Sequence, residues 1–367
     1  MEKKPMYVHV LENIKNMIIN GEFPVDQPLP SQKEFADIFN TSEITSRRAL
    51  TELANEGYIF RIRGKGSFIK KIEDDEETKK LKIKRVYFVY PDAPLQVLTH
   101  RFYQDLMDGI FSSCKEKGIQ FLTWKIGENE KLPDDNQAGF IVLPHVQGAQ
   151  EISVKTLETW KMKEKRLVTV HFYYPHLKIP YVVINNITGG YLATQHLISC
   201  GHEKIGIILT GKSFMDINQE FSLRMEGYKS ALLQHQIEFD PSYIYIAEGN
   251  SETEEMGYKG MKALLSLTEP PTAVFATSDY KAIGAIRAAI DSGLKVPEDI
   301  SIVGFDDISL AKYSTPPLTT FNQNSQNLGK RAVEILVEEY NKKENEEEIL
   351  KDEIVPELII RESTRKR

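Results

Sequence analysis

Cysteine is nearly missing from this chain of 367 residues, with only Cys114 and Cys200 present. Two thiols cannot build a disulfide scaffold or fill a cysteine-rich zinc module. Both stand in apolar, helix-like patterns, which assigns them to buried free thiols. Long apolar runs are missing too. No stretch approaches the ~18–20 residues of a membrane span, and the opening MEKKPMYVHVLENIK interleaves charge with apolar residues where a secretory signal has a continuous apolar core. The chain is therefore expected in the cytoplasm, without a membrane partner. An overall positive excess is also lacking: 46 Lys/Arg stand against 53 Asp/Glu, a net −7, which argues against a chain that coats nucleic acid along its whole length. The balance is uneven, however. Residues 1–71 hold 11 bases and 9 acids, whereas residues 72–367 hold 35 and 44.

Signatures of catalysis and metal binding are scarce. The eight His are scattered, and neither HExxH nor G-x-S-x-G occurs; His196 and His202, six apart, take solvent-facing or capping roles by default. No metal, no cofactor and no catalytic residue is expected. One phosphate-loop expression, Gly206-Ile-Ile-Leu-Thr-Gly211-Lys212-Ser213, is present. Its Gly206 lies inside an apolar run, and Ile207, Ile208 and Leu209 read as strand interior, whose N–H groups a sheet would occupy. Nucleotide-dependent phosphotransfer is accordingly a distant alternative.

What is present is 41% hydrophobic and 27% charged residues, an ordinary globular balance, in a chain long enough for two or three domains. Val10, Leu11, Ile14, Met17 and Ile18 recur at three- and four-residue spacing, one face of a helix ending at Gly21. In LPSQKEFADIF, Ser31 and Glu34 form a capping box, and Phe35, Ala36 and Phe39 supply an inner face. The break at Asn40-Thr41-Ser42 opens a third helix with Ile44, Leu50 and Leu53 inward and Thr45, Ser46, Arg47 and Arg48 outward. Two short β runs follow around Arg61-Ile62-Arg63-Gly64-Lys65-Gly66. Short helix, tight turn, Arg-bearing helix and basic hairpin together describe a winged helix-turn-helix, whose second helix enters a major groove. The candidate DNA contacts are Ser31, Lys33, Ser42, Glu43, Thr45, Ser46, Arg47, Arg48, Arg63, Lys65 and Gly66.

The segment IEDDEETKKLKIKR has five acids followed by five bases and reads as a solvated linker. We divide the chain into a DNA-binding domain (1–71), a linker (72–84) and a large domain (85–367). In the large domain, apolar β runs at 86–90, 121–124, 139–143, 167–170, 181–184, 205–209, 243–246, 273–277 and 300–305 alternate with helical runs. Such runs, buried between helices, indicate doubly wound parallel sheets. Their number implies two lobes: one of about 85–184 with 319–343, the other of about 187–315 with 345–367. A cleft between them, at the carboxyl ends of strands, is the natural ligand site. Strand-end Asp residues usually cap the next helix, and Asp279 and Asp307 are read in that way.

Residues 7–69 resemble the GntR-family winged-helix domain, through Leu29-Pro30-Ser31, Thr45, Arg47, Ala49-Leu50, Leu53, Glu56-Gly57, Gly64 and Gly66-Ser67-Phe68. That family usually has Arg where Glu43 stands, so either the operator differs or Glu43 reads a cytosine amino group. Residues 85–364 resemble the periplasmic-binding-protein-like effector domain of LacI/GalR regulators, through YVVINNITGGYLATQHLISCGHEKIGII, RMEGYKSAL, the segment PPTAVFATSDYKAIGAIRAAIDSGLKVPEDISIVGFDDISLA, PPLTT and PELIIRES. The two halves together look like a GntR head on a LacI-type body, the AraR-type combination. The resemblance implies effector contacts at Phe102, Tyr103, His171, Arg224, Ser278 and Asp306; His171 and Ser278 stand where the family often has Asp and Asn. It also implies a dimeric repressor of carbohydrate-utilisation genes, bound to a palindromic operator and released by a sugar or sugar phosphate. A co-repressed or activating regulator with a non-sugar effector is the alternative.

Overall fold

The computed structural model describes residues 6–19, 22–24, 27–56, 58–62, 66–69, 83–92, 100–127, 130–146, 151–213, 215–249, 252–341 and 349–367. The chain divides into two compact units, Met1–Leu81 and Lys82–Arg367. Of the expected linker, only Ile83 and Lys84 fall among the described residues.

The first unit has three helices, α1 (Met6–Ile19), α2 (Gln32–Ile38) and α3 (Glu43–Asn55), and the hairpin β1 (Ile59–Ile62) and β2 (Gly66–Ile69). Both caps of the helix-turn-helix are formed. Ser31 N–H donates to the Glu34 carboxylate at 2.6 Å while Ser31 Oγ accepts from Glu34 N–H, and Ser42 Oγ accepts from Thr45 N–H. Val10, Leu11, Ile14 and Ile18 close over Phe35, Ala49, Leu50 and Leu53, with Ile59 and Ile69 of the hairpin completing the core. Two expectations on α3 are reversed. Ile44 is 78% exposed, and Ser46 is fully buried. The buried stripe runs through Ser46, Ala49, Leu50 and Leu53. Ile44 precedes Leu50 by six residues, about 240° round the helix, so it cannot share that stripe.

The second unit contains two parallel sheets. The first is built from β3 (Arg85–Tyr90), β4 (Gln120–Lys125), β5 (Ala138–Val142), β6 (Leu167–Val170), β7 (Tyr181–Ile184) and β14 (Lys351–Ile354). Its order is β14-β7-β6-β5-β3-β4, all parallel. The helices α4 (Arg101–Glu116), α5 (Val154–Met162) and α10 (Ser325–Asn341) belong to this lobe. The second sheet has β8 (Ile205–Ser213), β10 (Ile244–Ala247), β11 (Ala273–Ala276) and β12 (Ser301–Val303) in the order β10-β8-β11-β12, again parallel, with β9 (Asp216–Ile217) folded back on β8. Around it lie α6 (Asn186–Ser199), α7 (Gln219–Gln234), α8 (Glu254–Leu265) and α9 (Asp279–Asp291). The central strands β5 and β11 are buried at every residue, which explains their unbroken apolar sequences.

The last strands depart from the expected lobe boundaries. β13 (Thr320–Asn322) pairs antiparallel with β15 (Glu357–Ile359), and Thr319 bridges to Val303 of the second sheet. β14 instead extends the first sheet beside β7. Residues 319–322 thus go with the second lobe and 351–354 with the first. Both are three- or four-residue strands without a period of their own, and KDEI in particular has a surface composition. The phosphate-loop alternative is corrected here as well. Gly206 through Ser213 all lie in β8, where 205–210 are registered against β11 and β10 and Gly211 and Ser213 against β9. The N–H groups that would cradle a phosphate belong to ladders. Lys212 is surface-exposed, 3.5 Å from Asp216.

Candidate functional site

In the first unit the outward face of the helix-turn-helix gathers the expected polar groups. Arg47 Nε donates to Gln32 Oε1 at 2.9 Å, and Gln32 Nε2 donates to the Glu43 carboxylate at 3.4 Å. Gln32, unnoticed in the sequence, thereby ties the first turns of α2 and α3 together and orients both charged side chains. Thr45 Oγ1 lies 2.8 Å from Ser42 Oγ. The Arg48 guanidinium stacks 3.9 Å from the centroid of the Tyr7 ring. Ser31, Lys33 and Gly66 are exposed. Arg61 on β1 donates to Thr51 Oγ1 at 3.0 Å, bringing the wing beside α3. A groove lined by Pro30, Gln32, Arg47, Arg61, Ile62 and Ser67 runs between helices and wing. Ser46 is excluded from this face, since its hydroxyl is buried in the core without a partner. Arg63 and Lys65 lie outside the described residues.

In the second unit the functional candidates converge at the carboxyl ends of both sheets. In each sheet the chain order reverses at one point, between β3 and β5 in the first and between β8 and β11 in the second, where doubly wound folds open a crevice. From the first lobe, Phe102 and Tyr103 stand on the opening turn of α4, which is capped by His100. His171 follows β6 directly, with φ of +70°. The second lobe supplies Arg224 on α7, Ser278 as the cap of α9, and Asp306 just past β12 with φ of +118°. Left-handed backbone at a non-glycine residue costs about 1–3 kcal/mol and survives only where its surroundings enforce it. Two of the six candidates carry it.

The lobes meet through polar contacts. His171 Nε2 lies 2.6 Å from the Glu220 carboxylate, both side chains about nine-tenths buried. Gln219 and Tyr173 exchange two hydrogen bonds, at 3.3 and 3.2 Å. Arg101 donates to the Asp307 carbonyl at 3.1 Å. Phe102 packs its ring 4.6 Å from that of His171. Gln323 Nε2 donates to Asp306 Oδ1. Two buried polar atoms of this ring have no partner, His171 Nδ1 and Gln323 Oε1.

Arg224 is almost wholly buried. Its Nε donates to Asn186 Oδ1 at 2.8 Å and its Nη1 to the Thr277 carbonyl at 2.5 Å, with the guanidinium 3.8 Å from the centroid of Phe305. It reaches this depth because α6 and α7 touch backbone to backbone. A Cβ on Gly190 would lie 2.0 Å from the Arg224 carbonyl oxygen, and one on Gly227 2.0 Å from that of Ile187.

Around Arg224 two carboxyls, Glu220 and Asp306, shift in opposite directions through their different neighbours. Burial would raise the Glu220 carboxyl, but His171 and Arg224 outweigh it and hold it at about 2. Burial raises Asp306 well above the carboxylate range against the pull of Arg224, with Asp279, Glu252 and Glu220 adding to the rise. Burial likewise lifts the Tyr103 hydroxyl, whose neighbours include Glu220 and Asp306. At the end of the second sheet Lys281 is fully buried; its Nζ lies 2.6 Å from Glu252 and 2.8 Å from Thr210 Oγ1, and Ser278 Oγ also donates to Glu252. Glu220, Glu252, Lys281 and Gln323 escaped the sequence reading. Only Glu220 had a signal, four residues ahead of Arg224 on the same helix face.

Other expectations are corrected. Asp279 does not cap α9, because Ser278 does. Asp279 is buried and accepts from Ile308 N–H and the Thr320 hydroxyl, and burial lifts its carboxyl to about 7. Asp307 accepts from Arg361 and Asn322 rather than from a helix end. His202 is buried between Thr272 and Ser301 and pulled down to about 4 by burial; His196 is bonded to Thr364. Among the described residues, no group of three or more His, Cys, Asp or Glu could hold a metal ion, and no helix is long and apolar enough to cross a membrane.

Residues 194–364 match the periplasmic binding protein-like domain family, and residues 6–69 match the gntR family of bacterial regulatory proteins. An HTH-type transcriptional repressor PurR of Haemophilus influenzae is 43% identical over 183 residues, 49% of this chain and 52% of the relative. The chain thus spans about half the length of the curated relatives it matches first. Another PurR repressor, from Aliivibrio salmonicida, is 33% identical over 273 residues, 72% of this chain and 78% of the relative. The crystal structure of a LacI family regulator from Enterococcus faecium with bound ribose superposes with a TM-score of 0.60 and 26% identity, covering 77% of this chain and all of that one. These matches overturn the expectation of a separate class that fuses a GntR-type head to a LacI/GalR-type body. The likeness extends over 78% of an HTH-type repressor and over all of the crystallised chain of a LacI family regulator.

Proposed function

The chain belongs to the LacI/GalR family of transcriptional regulators, and from that premise we propose that it is a sequence-specific DNA-binding repressor, released from its operator by a small sugar held between its lobes. It is not an enzyme; the family consists of regulators. The observation that carries the ligand reading is the buried polar ring with two unpartnered atoms, His171 Nδ1 and Gln323 Oε1. Sugar hydroxyls both donate and accept and would satisfy such atoms. Phe102, Tyr103, His171, Arg224, Ser278 and Asp306 are the proposed contacts. Arg224 donates, the carboxyls accept or share a proton, and Phe102 covers apolar C–H groups. Lys281 is paired with Glu252 and Glu220 stands ionised near Arg224, so no uncompensated cation is left for a phosphate, which favours a neutral sugar over a phosphorylated one. The ribose in the Enterococcus faecium regulator is consistent with this class.

On the DNA side, Arg47, Thr45, Glu43, Ser42, Arg48, Ser31, Lys33 and Gly66 are the proposed contacts. A net charge of +2 in residues 1–71 gives a single head little hold on phosphates. A homodimer on a palindromic operator supplies the second grip. Release requires that the sugar prefer the unbound form; a preference of about 100-fold corresponds to about 2.7 kcal/mol of coupling per site. The test enriches duplexes from a randomised pool with the full chain, then titrates pentoses and hexoses into the complex. One sugar should raise the melting temperature of the protein and lower its DNA affinity. Absence of any enriched duplex overturns the DNA reading, and a flat thermal response to the whole panel overturns the sugar reading.

A further inference from the structure

The outward face of α3 carries one side chain that neither its charge nor an internal contact explains. Ile44 is 78% exposed, the most exposed of the described large apolar residues of the first unit. It lies in the first turn of the helix, on the side opposite the buried stripe of Ser46, Ala49, Leu50 and Leu53. Its neighbours on the same face are engaged: Glu43 and Arg47 through Gln32, Thr45 with Ser42, and Thr51 with Arg61. A side chain held at the centre of a polar, arginine-bearing face, at the helix end that leads into a groove, meets base edges before it meets anything else. The only apolar group that bases present in the major groove is the C5-methyl of thymine.

Resting on the DNA-binding reading above, we infer that Ile44 reads a thymine methyl group in each operator half-site, beside the base pair that faces Glu43. The occupant is DNA rather than a protein partner because Arg47, three residues further along the same helix, and Arg61 of the wing line the adjoining groove between helices and wing with charge complementary to phosphates.

The experiment uses the duplex enriched by the full chain and replaces each thymine in turn by uracil, which deletes one methyl and leaves base pairing intact. With the unmodified chain, one uracil per half-site should weaken binding about fourfold, the effect of burying a single methyl group. With Ile44→Ala, whose exposed position leaves the core untouched, the same uracil should have no effect, while the uncontacted positions behave alike in both chains. The inference is overturned if the two scans coincide, or if Ile44→Ala changes only self-association and no base preference. If no duplex is enriched at all, the DNA-binding reading itself falls and takes this one with it. Circular dichroism and the melting temperature of Ile44→Ala, expected to match the parent, separate loss of recognition from loss of fold.

Discussion

Glu220→Gln isolates the tie that joins the two lobes. The carboxylate lies 2.6 Å from His171 Nε2 with both groups about nine-tenths buried, so solvent screening is slight. Held at about 2 against an ordinary 4.5, the ionised group contributes about 3 kcal/mol to folding at neutral pH. The sign follows from the direction of the shift. Below 4.5 the unfolded chain takes up the proton that the folded chain refuses, so this stability is complete above 4.5 and is lost as the pH falls toward 2. The amide of Gln keeps the shape and abolishes the charge. It leaves His171 facing a neutral group, and removing one partner of a buried pair costs about 3–5 kcal/mol; a loss near the lower end, matching the contribution of the ionised group itself, is expected. Urea unfolding of the full chain at pH 7 measures it, with further points between pH 5 and pH 3 to follow the acid limb. The variant should be about 3 kcal/mol less stable at pH 7, and its stability should decline more gently through the acid range. A variant within about 0.5 kcal/mol of the parent and equally steep in acid would refute the reasoning.

Other perturbations separate the two functional faces. Arg47→Ala should weaken binding to the enriched duplex at least tenfold, while the sugar-induced rise in melting temperature is retained. Asp306→Asn should do the reverse, eliminating the thermal response with DNA affinity unchanged, as read by fluorescence anisotropy on the same duplex. Gly190→Ala would set a methyl 2.0 Å from the Arg224 carbonyl oxygen and force α6 and α7 apart, a loss of about 3 kcal/mol or more in urea together with weaker sugar binding. His202, pulled down to about 4 by burial, stays neutral in the fold where the unfolded chain protonates near 6.5. Its contribution is therefore lost as the pH falls from 6.5 toward 4, and His202→Gln should flatten the stability profile in that window.

Much of this architecture was legible because it rests on local rules. The Ser31–Glu34 box and the Ser42 cap are short-range hydrogen-bond patterns written in adjacent residues, and β6 and β7 fall at 167–170 and 181–184 as their apolar runs require. Chemical type alone sends Ile44 inward and Ser46 outward, but helical phase sets the opposite. The spacing of Ser46 to Ala49, Leu50 and Leu53 already carried the answer. Asp279 misled for a different reason. Its partners, Ile308 and Thr320, lie 29 and 41 residues away, beyond anything a local cap rule can see.

The same divide runs through the whole molecule. The order of its β and α runs, its caps, the scarcity of cysteine and the charge split between head and body follow from the sequence alone, since each depends on residues a few positions apart or on composition. Tertiary structure decided which groups meet. It put β14 in the first sheet and β13 with β15 beside the second, joined His171 to Glu220 across 49 residues, and set Gln323 on Asp306. It also buried Lys281 with Glu252, where a surface ion pair would have been the simplest reading. These pairings arise where strand ends from two sheets converge, and the free energy that selects them comes from burying charge that only a partner far along the chain can compensate.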